Sequence, residues 1–460
     1  MRDQLQRWLA IGCVLLVELS LSARSLADPG PALSFPPALI PAATERSFPG
    51  LWEPLEAGAA LVRTTDPSAV WYNPAGIVMT DRSGINASAP GYQLTAYWGS
   101  SENRPAQGNN LRGLPNFVGA IIGREVIPWR NVRLGVGLTN PITSLQSVEV
   151  SQAITPGQRS AYTVSSDLES FQGAAAVAWA PWPFLRLGLS LGMSYDTISS
   201  SAQSSAELTT AQSYGGSLNV STISANTQQL VSSAGVQFDA LKWLSVGAVV
   251  RPPAVKVLGV STLTYDGILN GSQVQQEHTQ GNGSFEFRQP LQINFGAAAQ
   301  IGKVNLEVDV FWHQASGTYT LLGSPGALRL VTAAPGGSAP VVTNAVFPDI
   351  RTQTRSILNA SIGGNYHLER KWWLHGGFYL DQSPTSSNDP FFEPVDFYGV
   401  RAGCSLRQST GLEGSMGVGY ELGLSNRPPG TQSPIGNISP TAGNLSIHTF
   451  SLLLAIGYRF

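Results

Sequence analysis

The ten residues VNLEVDVFWH, 304 to 313, put Val304, Leu306, Val308, Val310 and Trp312 on one side of an extended chain. Asn305, Glu307, Asp309, Phe311 and His313 fall on the other. Successive side chains of a β-strand leave opposite faces, so this period specifies a strand with one greasy and one polar side. The pattern recurs. In LRLGLSLGMSYD, Leu185, Leu187, Leu189, Leu191, Met193 and Tyr195 oppose Arg186, Gly188, Ser190 and Asp196, and in WWLHGGFYLD, Trp372, Leu374, Phe378 and Leu380 oppose His375, Tyr379 and Asp381. The last strand, IHTFSLLLAIGYRF, sets Phe450, Leu452, Leu454, Ile456, Tyr458 and Phe460 on one face. Such strands fold either into stacked sheets with a protein core or into a barrel with lipid outside and a polar lumen. A soluble sandwich would need a second apolar face to cover each of these, and the sequence supplies none.

Composition supports the membrane barrel. Only 12% of residues are charged, against roughly 25% in ordinary globular proteins. Mean hydropathy is near zero, too polar for a helical membrane protein. No run after residue 27 approaches the roughly 20 apolar residues of a spanning helix. A net charge of -2 gives no sign of a nucleic-acid partner.

Connections alternate in length. Short ones fall at 180–184, 239–243, 301–303, 367–372 and 407–411, and Ser-, Gly- and Pro-rich stretches near 199–224, 267–283, 321–352, 383–395 and 425–445 read as long loops. Short periplasmic turns and long outer loops are the habit of bacterial barrels. The segmentation predicts fourteen antiparallel strands over 84–460, with six short turns, seven longer connections and both ends in the periplasm. SVGAVVRPPAVKVLGVSTLTYDG is read as one long strand with a proline-marked irregularity.

Residues 1–27 read as a secretory signal: Arg2 and Arg7 precede an apolar run from Trp8 to Leu21, and Ser25-Leu26-Ala27 fits a cleavage site. Cys13 is an ordinary member of that run. Its removal would leave Cys404 alone, so no internal disulfide is expected. Residues 28–83 do not alternate. A proline-rich stretch is followed by LWEPLEAGAALVRTTDPSAVWYNPAGIVMTDRSG, read as short helices in which Asp66-Pro67 and Asn73-Pro74 each offer a polar cap before proline. A fourteen-stranded barrel is too wide for its own side chains to fill, so this segment is expected inside it as a plug.

The motif EAGAALVRTTDPSAVWYNPAGI, with its Asp-x-Ser-Ala and Asn-Pro-Ala-Gly, resembles the plug motif of FadL/TodX-type outer-membrane transporters of long-chain fatty acids and aromatic hydrocarbons. The likeness continues through PNFVGAIIG, VRLGVGLTNP, GFYLDQSPTSSNDPFFEPVDFYGVRAG and the terminal strand. It implies an all-β, 14-stranded transmembrane barrel in the Gram-negative outer membrane, with an N-terminal, partly helical hatch. Asp66, Asn73, Pro74, Ala75 and Gly76 would form the plug motif, and substrate would leave sideways at a kinked third strand. A hydrophobic or fatty-acid ligand, outer-membrane lipid and lipopolysaccharide are the implied partners of a monomeric channel. The terminal Phe460 resembles the signal read by the barrel-assembly machinery. Two departures stand out: a longer, more proline-rich N-terminus, and Phe397 where the family often has a basic residue.

The candidate kink is VRLGVGLTNPIT. Gly135 and Gly137 point inward, and Asn140-Pro141 interrupts the strand because proline removes a ladder N–H. Either the wall is locally unpaired there, or Pro141 begins an irregular outer segment. Arg251 and Lys256 flank the PPAV stretch as head-group candidates for a carboxylate, or as outward snorkelling cations. Enzyme signatures are absent: no Gly-x-Ser-x-Gly, no metal-spaced Cys/His set, no phosphate loop. No catalytic residue, metal or cofactor is expected. Glu307, Asp309 and His313 share a face and could do acid–base work, but a hydrated lumen wall or polar contacts to the plug is the favoured reading. The functional expectation is passive uptake of hydrophobic compounds; the alternative is a general or solute-specific porin.

Overall fold

The computed structural model of the chain describes residues 40–41, 46–99, 107–112, 116–127, 129, 131–155, 158–209, 214–270, 274–333, 339, 341–369, 371–385, 389, 392–425 and 445–460. The signal-peptide reading of 1–27, with Cys13, lies outside them, as does the loop reading of 426–444.

Fourteen strands close a barrel. They are β1 (Gly84–Gly99), β2 (Gln107–Arg112 and Phe117–Ile122), β3 (Val132–Thr155), β4 (Gln158–Trp182), β5 (Leu185–Thr209), β6 (Tyr214–Leu241), β7 (Leu244–Arg251 and Val255–Asn270) and β8 (Val274–Ser284 and Gln292–Ile301). The circuit continues with β9 (Val304–His313), β10 (Ile357–Glu369), β11 (Trp372–Asp381), β12 (Asp396–Arg407), β13 (Leu412–Ser425) and β14 (Leu445–Arg459). Neighbours pair antiparallel, and β14 returns to β1 from Arg459↔Gly84 to Leu445↔Gly99. Closure leaves no sheet edge to satisfy in hydrocarbon.

The apolar sides face outward. On β5, Leu187, Leu189, Leu191, Met193 and Tyr195 are exposed while Arg186, Gly188, Ser194 and Asp196 are buried. Past Tyr195 the outward positions become Thr197, Ser199 and Ser201. The greasy run thus ends after the 9–11 or so residues that a tilted strand needs to cross a bilayer. Trp129, Trp179, Trp182, Trp243, Trp372 and Phe460 are exposed beside the short turns, forming an aromatic girdle of the kind found at a membrane interface.

Two expectations are corrected. The stretch 321–352, read as a long loop, carries the paired strands Ala327–Ala333 and Val341–Val346, the first of which joins the barrel sheet beside β8. The stretches 199–224 and 267–283, read likewise, are mostly strand, with β5 having 25 residues and β6 28. At about 3.3 Å per residue, such strands rise far beyond the bilayer. Above it the outer face is polar and the inner face small, so alternation fades and a Ser-rich ladder reads like loop. Inward Ile198, Ile223, Ala225 and Leu263 nevertheless remain buried. The proline irregularity after Arg251 is also larger than expected. β7 stops for 252–254 and β8 for 285–291, the two joined by Ala254 N–H donating to Gln289 O at 3.1 Å.

Residues 46–83 occupy the lumen. Helical content among the described residues is short, Glu53–Glu56 and Pro74–Met79 in 3-10 form and α1 (Ala69–Tyr72). Glu53–Glu56 packs on β10–β13 and Pro74–Met79 on β3–β6, so the segment bridges the cylinder. Leu55, Ala59, Ala60, Leu61, Ala75 and Ile77 are at most 1% exposed. The segment is thus packed against the inner face of the wall.

Candidate functional site

The lumenal segment is held by inward side chains of the wall. Asp309 Oδ2 accepts from Ala60 N (2.8 Å) and Leu61 N (3.0 Å), while Glu307 accepts from Val62 N (2.6 Å) and Arg63 N (3.3 Å). Arg63 Nε donates to the same Glu307 carboxylate at 2.7 Å, and its Nη2 donates to Glu56. Gln237 on β6 donates to Leu61 O at 3.2 Å. The carboxylate pair that could have suggested acid–base work is occupied as backbone acceptor for one turn of the segment. His313 is buried at the outer end of the same strand face.

Glu56 is the hub below this turn. Its Oε1 lies 2.6 Å from His375 Nδ1 and accepts from Asn365 Nδ2 at 2.8 Å, and His375 Nε2 reaches Ser405 Oγ at 2.7 Å. Burial alone would raise the Glu56 carboxyl, but the His375 hydrogen bond and Arg63 charge outweigh it and hold it below its ordinary range. Glu53 behaves oppositely: burial first, then the Asp66 charge, push it well above its ordinary range. Further along, Arg46 (2.9 Å) and Arg401 (2.6 Å) both pair with buried Glu421, and Phe48 packs edge-on against Tyr379 at 4.9 Å. These anchors draw on β6 and β9–β13, strands up to 375 positions away in sequence.

Asn73, Pro74 and Ala75 sit on β5 and β6. Asn73 Oδ1 accepts from Ala75 N (3.1 Å), capping the turn Pro74–Met79, and its Nδ2 donates to Val236 O on β6 (3.2 Å). Asp66 Oδ1 accepts from Ser68 N at 2.8 Å and orders the turn into α1. A methyl built on Gly76 would overlap Thr64 O. On the wall side, a methyl on Gly188 would overlap the Ala75 amide and Pro74, and one on Gly235 would overlap Asn73 Oδ1. Only glycine lets the motif approach this closely. Gly188→Ala and Gly235→Ala are therefore each expected to weaken seating of the segment by about 1–3 kcal/mol. Raised single-channel conductance with normal heat-modifiable folding would report it.

Asn73, in the lumenal segment, lies against Gly235 and Val236 of β6, whereas the interruption at Asn140-Pro141 is on β3. At the interruption itself, β2–β3 pairing stops at Phe117↔Thr139 and, among the described residues, resumes only at Gln107↔Glu149. Ten positions separate the two rungs on each strand, so the register is unchanged across the opening. β3 runs on through Pro141 to Thr155, with a register shift against β4 between Thr139 and Ile142. Asn140 N donates to Asn116 O (2.9 Å) at the lower lip, and the Asn140 amide, turned toward them, donates to Ser170 O and Ile142 O at 2.7 Å each. Ser47 Oγ donates to Asn140 O (2.7 Å) and Asn116 Nδ2 to Phe48 O (3.2 Å), so the start of the lumenal segment is fastened to the lip of the opening. Inward Gly135 and Gly137 give room to Val70, Ile77 and Phe117.

Outward of the segment, the tall half-cylinder of β3–β8 carries an apolar cluster. Leu168, Ile198, Ile223, Leu263 and Phe285 meet Tyr319, Leu321, Leu322 and Phe347 from the long connection between β9 and β10. Partly buried Ile142, just past Pro141, packs against the same cluster. Arg251 does not point freely into this space: it donates to Trp71 O (2.5 Å) and Gln292 Oε1 (2.9 Å) and stacks on the Trp71 ring at 4.5 Å. Lys256 pairs with Glu286 at 3.9 Å and is one-third exposed. Phe397, at the departure from the family pattern, is buried with Arg46 over its ring at 3.8 Å. Sequence alone missed Gly188, Gly235, Glu421 and Arg401; inward charges in so charge-poor a chain were the available signal.

No protein-family model and no curated protein matches the sequence. Among solved structures, the chain is similar to a FadL homologue of Pseudomonas aeruginosa, with TM-score 0.58 and 12% identity over 92% of this chain and 100% of that one. It is likewise similar to the toluene transporter TodX of Pseudomonas putida, with TM-score 0.59 and 13% identity over 90% and 99%. The monoaromatic hydrocarbon channel CymD aligns at TM-score 0.51 and 12% identity over 91% and 99%. Agreement over the full length of those barrels at such low identity is agreement of architecture. The chain has the FadL/TodX-type fold, a closed fourteen-stranded antiparallel membrane barrel.

Proposed function

We propose that this protein is an outer-membrane channel for passive uptake of hydrophobic compounds, long-chain fatty acids or aromatic hydrocarbons, with residues 46–83 as its plug and lateral release at the β2–β3 opening. The observation that carries this reading is the conjunction at Asn140: an unpaired stretch of wall, fastened to the plug on one side and reached by the apolar cluster through Ile142. Energetics favour the sideways route. Carrying a long alkyl chain from a greasy pocket into periplasmic water costs roughly 0.8 kcal/mol per methylene, on the order of 10 kcal/mol in all. Passage into the bilayer avoids that exposure and needs no energy source. The named activities of TodX and CymD, toluene transport and a monoaromatic hydrocarbon channel, support the same substrate class.

Within this reading, Arg251 serves the plug through Trp71, and Lys256 is the better placed head-group candidate. The purified protein in planar bilayers is expected to show little steady conductance, and cells carrying it to accumulate labelled alkyl or aromatic compounds. Large steady conductance would favour the porin alternative instead. Asn73→Ala removes both a cap and the bond to Val236. It is expected to lower uptake while heat-modifiable folding persists, and loss of that folding would make the motif a barrel-assembly element.

A further inference from the structure

The outer surface below the β2–β3 opening is not a smooth lipid-facing wall. A groove of about 580 Å³ runs across β14, β1, β2 and β3 on the outside of the barrel. Its floor is made by Ala87 and Ala120, outward positions filled by small side chains. Its rims are Ile456 and Tyr458 on one flank and Val136 and Leu138 on the other, all exposed. Ala87 pairs with Val118 and with Ile456, and Ala120 with Ile85 and Val136, so the hollow follows rungs of continuous ladder. The wall is thin here. Behind it, inward Gly119 and Gly135 leave Pro67 and Val70 of the lumenal segment close against the strand backbones.

We propose that this groove is an external binding site for one alkyl chain, and that it receives the chain leaving through the wall; the second half rests on the uptake function proposed above. The position fixes the occupant's chemistry. The hollow opens within the apolar band, where the surrounding medium is acyl chain, and its lining is hydrocarbon and one aromatic ring apart from buried Asn86, with no charged group. Its volume is large enough to seat a stretch of one alkyl chain. Its upper end is Val118↔Leu138, the rung next to Phe117↔Thr139, where pairing ends and the opening begins. A chain passing that lip meets a shaped apolar trough before it meets bulk lipid.

The test uses the full-length protein in phospholipid vesicles with a hexadecanoic acid carrying a terminal diazirine, followed by light and peptide mapping. Adducts are expected to concentrate on the groove residues. Ala120→Phe fills the floor from the lipid side, between outward Ile85 and Val136, and Ile456→Ala removes a rim as an independent variant. Excluding about two methylenes from the site corresponds to roughly ten-fold weaker occupancy, so groove labelling and uptake are both expected to fall about that much in Ala120→Phe. Heat-modifiable mobility should be unchanged. Labelling spread evenly around the apolar band overturns the site. Lost labelling with unchanged uptake overturns its place on the route. Wild-type protein labelled in the groove yet taking up no alkyl compound sinks the uptake function and leaves the site standing.

Discussion

With Glu307 and Asp309 both replaced by alanine, the barrel is expected to fold normally and to leak. These two carboxylates are the acceptors for four consecutive backbone N–H groups, at Ala60, Leu61, Val62 and Arg63. Stranding a buried donor costs about 1–3 kcal/mol, so the loss amounts to several kcal/mol at a single turn of the segment. Arg63 would keep Glu56 but lose its other carboxylate. Water can reach part of the damage, because a cavity of about 930 Å³ on the periplasmic side is lined by Trp52, Arg63, Asn305 and His375. Ala60 and Leu61 are too deeply buried for such relief. β9 itself is spared, since its ladders to β8 and β10 use backbone groups alone. Planar-bilayer recording should therefore show frequent or permanent openings, with normal heat-modifiable mobility. The pair Glu307→Gln with Asp309→Asn keeps acceptor oxygens and should leak less. Unchanged conductance in the alanine protein would mean that other contacts seat the plug.

Closing the β2–β3 opening covalently is expected to abolish uptake reversibly. Since register is unchanged across it, Leu111 and Leu145 would face one another if the strands zipped together, counting from Gln107↔Glu149. A disulfide needs Cα atoms about 4.4–6.8 Å apart, close to the 4.5–5.5 Å spacing of an antiparallel pair. Leu111→Cys with Leu145→Cys, on a Cys404→Ser background, can cross-link only when the wall shuts. Oxidation should reduce uptake to the level of cells lacking the protein, and a reductant should restore it. If the strands never approach, a short bis-maleimide bridges them and blocks the same window. Full uptake by a demonstrably bridged protein would rule out this exit.

The strands were legible because their physics is local. Alternation in residues 304–313, 185–196 and 372–381 places Leu306, Leu189 and Leu374 outward and Asp309, Asp196 and Asp381 inward, and closure to fourteen follows from counting them. Where strands leave the bilayer the signal fails, because solvent on both sides removes the contrast on which periodicity depends. Hence the Ser-rich upper halves of β5 and β6 looked like loop. Asn73 as a cap was equally local, needing only its own turn.

The partners of these groups were not legible. Nothing near Glu307 says that it meets Val62, 245 positions away, and nothing near Gly188 says that Pro74 will lie against it. Barrel closure makes those meetings, by bringing the inner faces of distant strands around one short segment. The sequence by itself determined which side of each strand seeks lipid, since that choice depends on side-chain chemistry repeated every second residue. Only the tertiary structure decided which inward charges hold the lumenal segment, since that depends on pairing and register between distant strands that no local preference encodes.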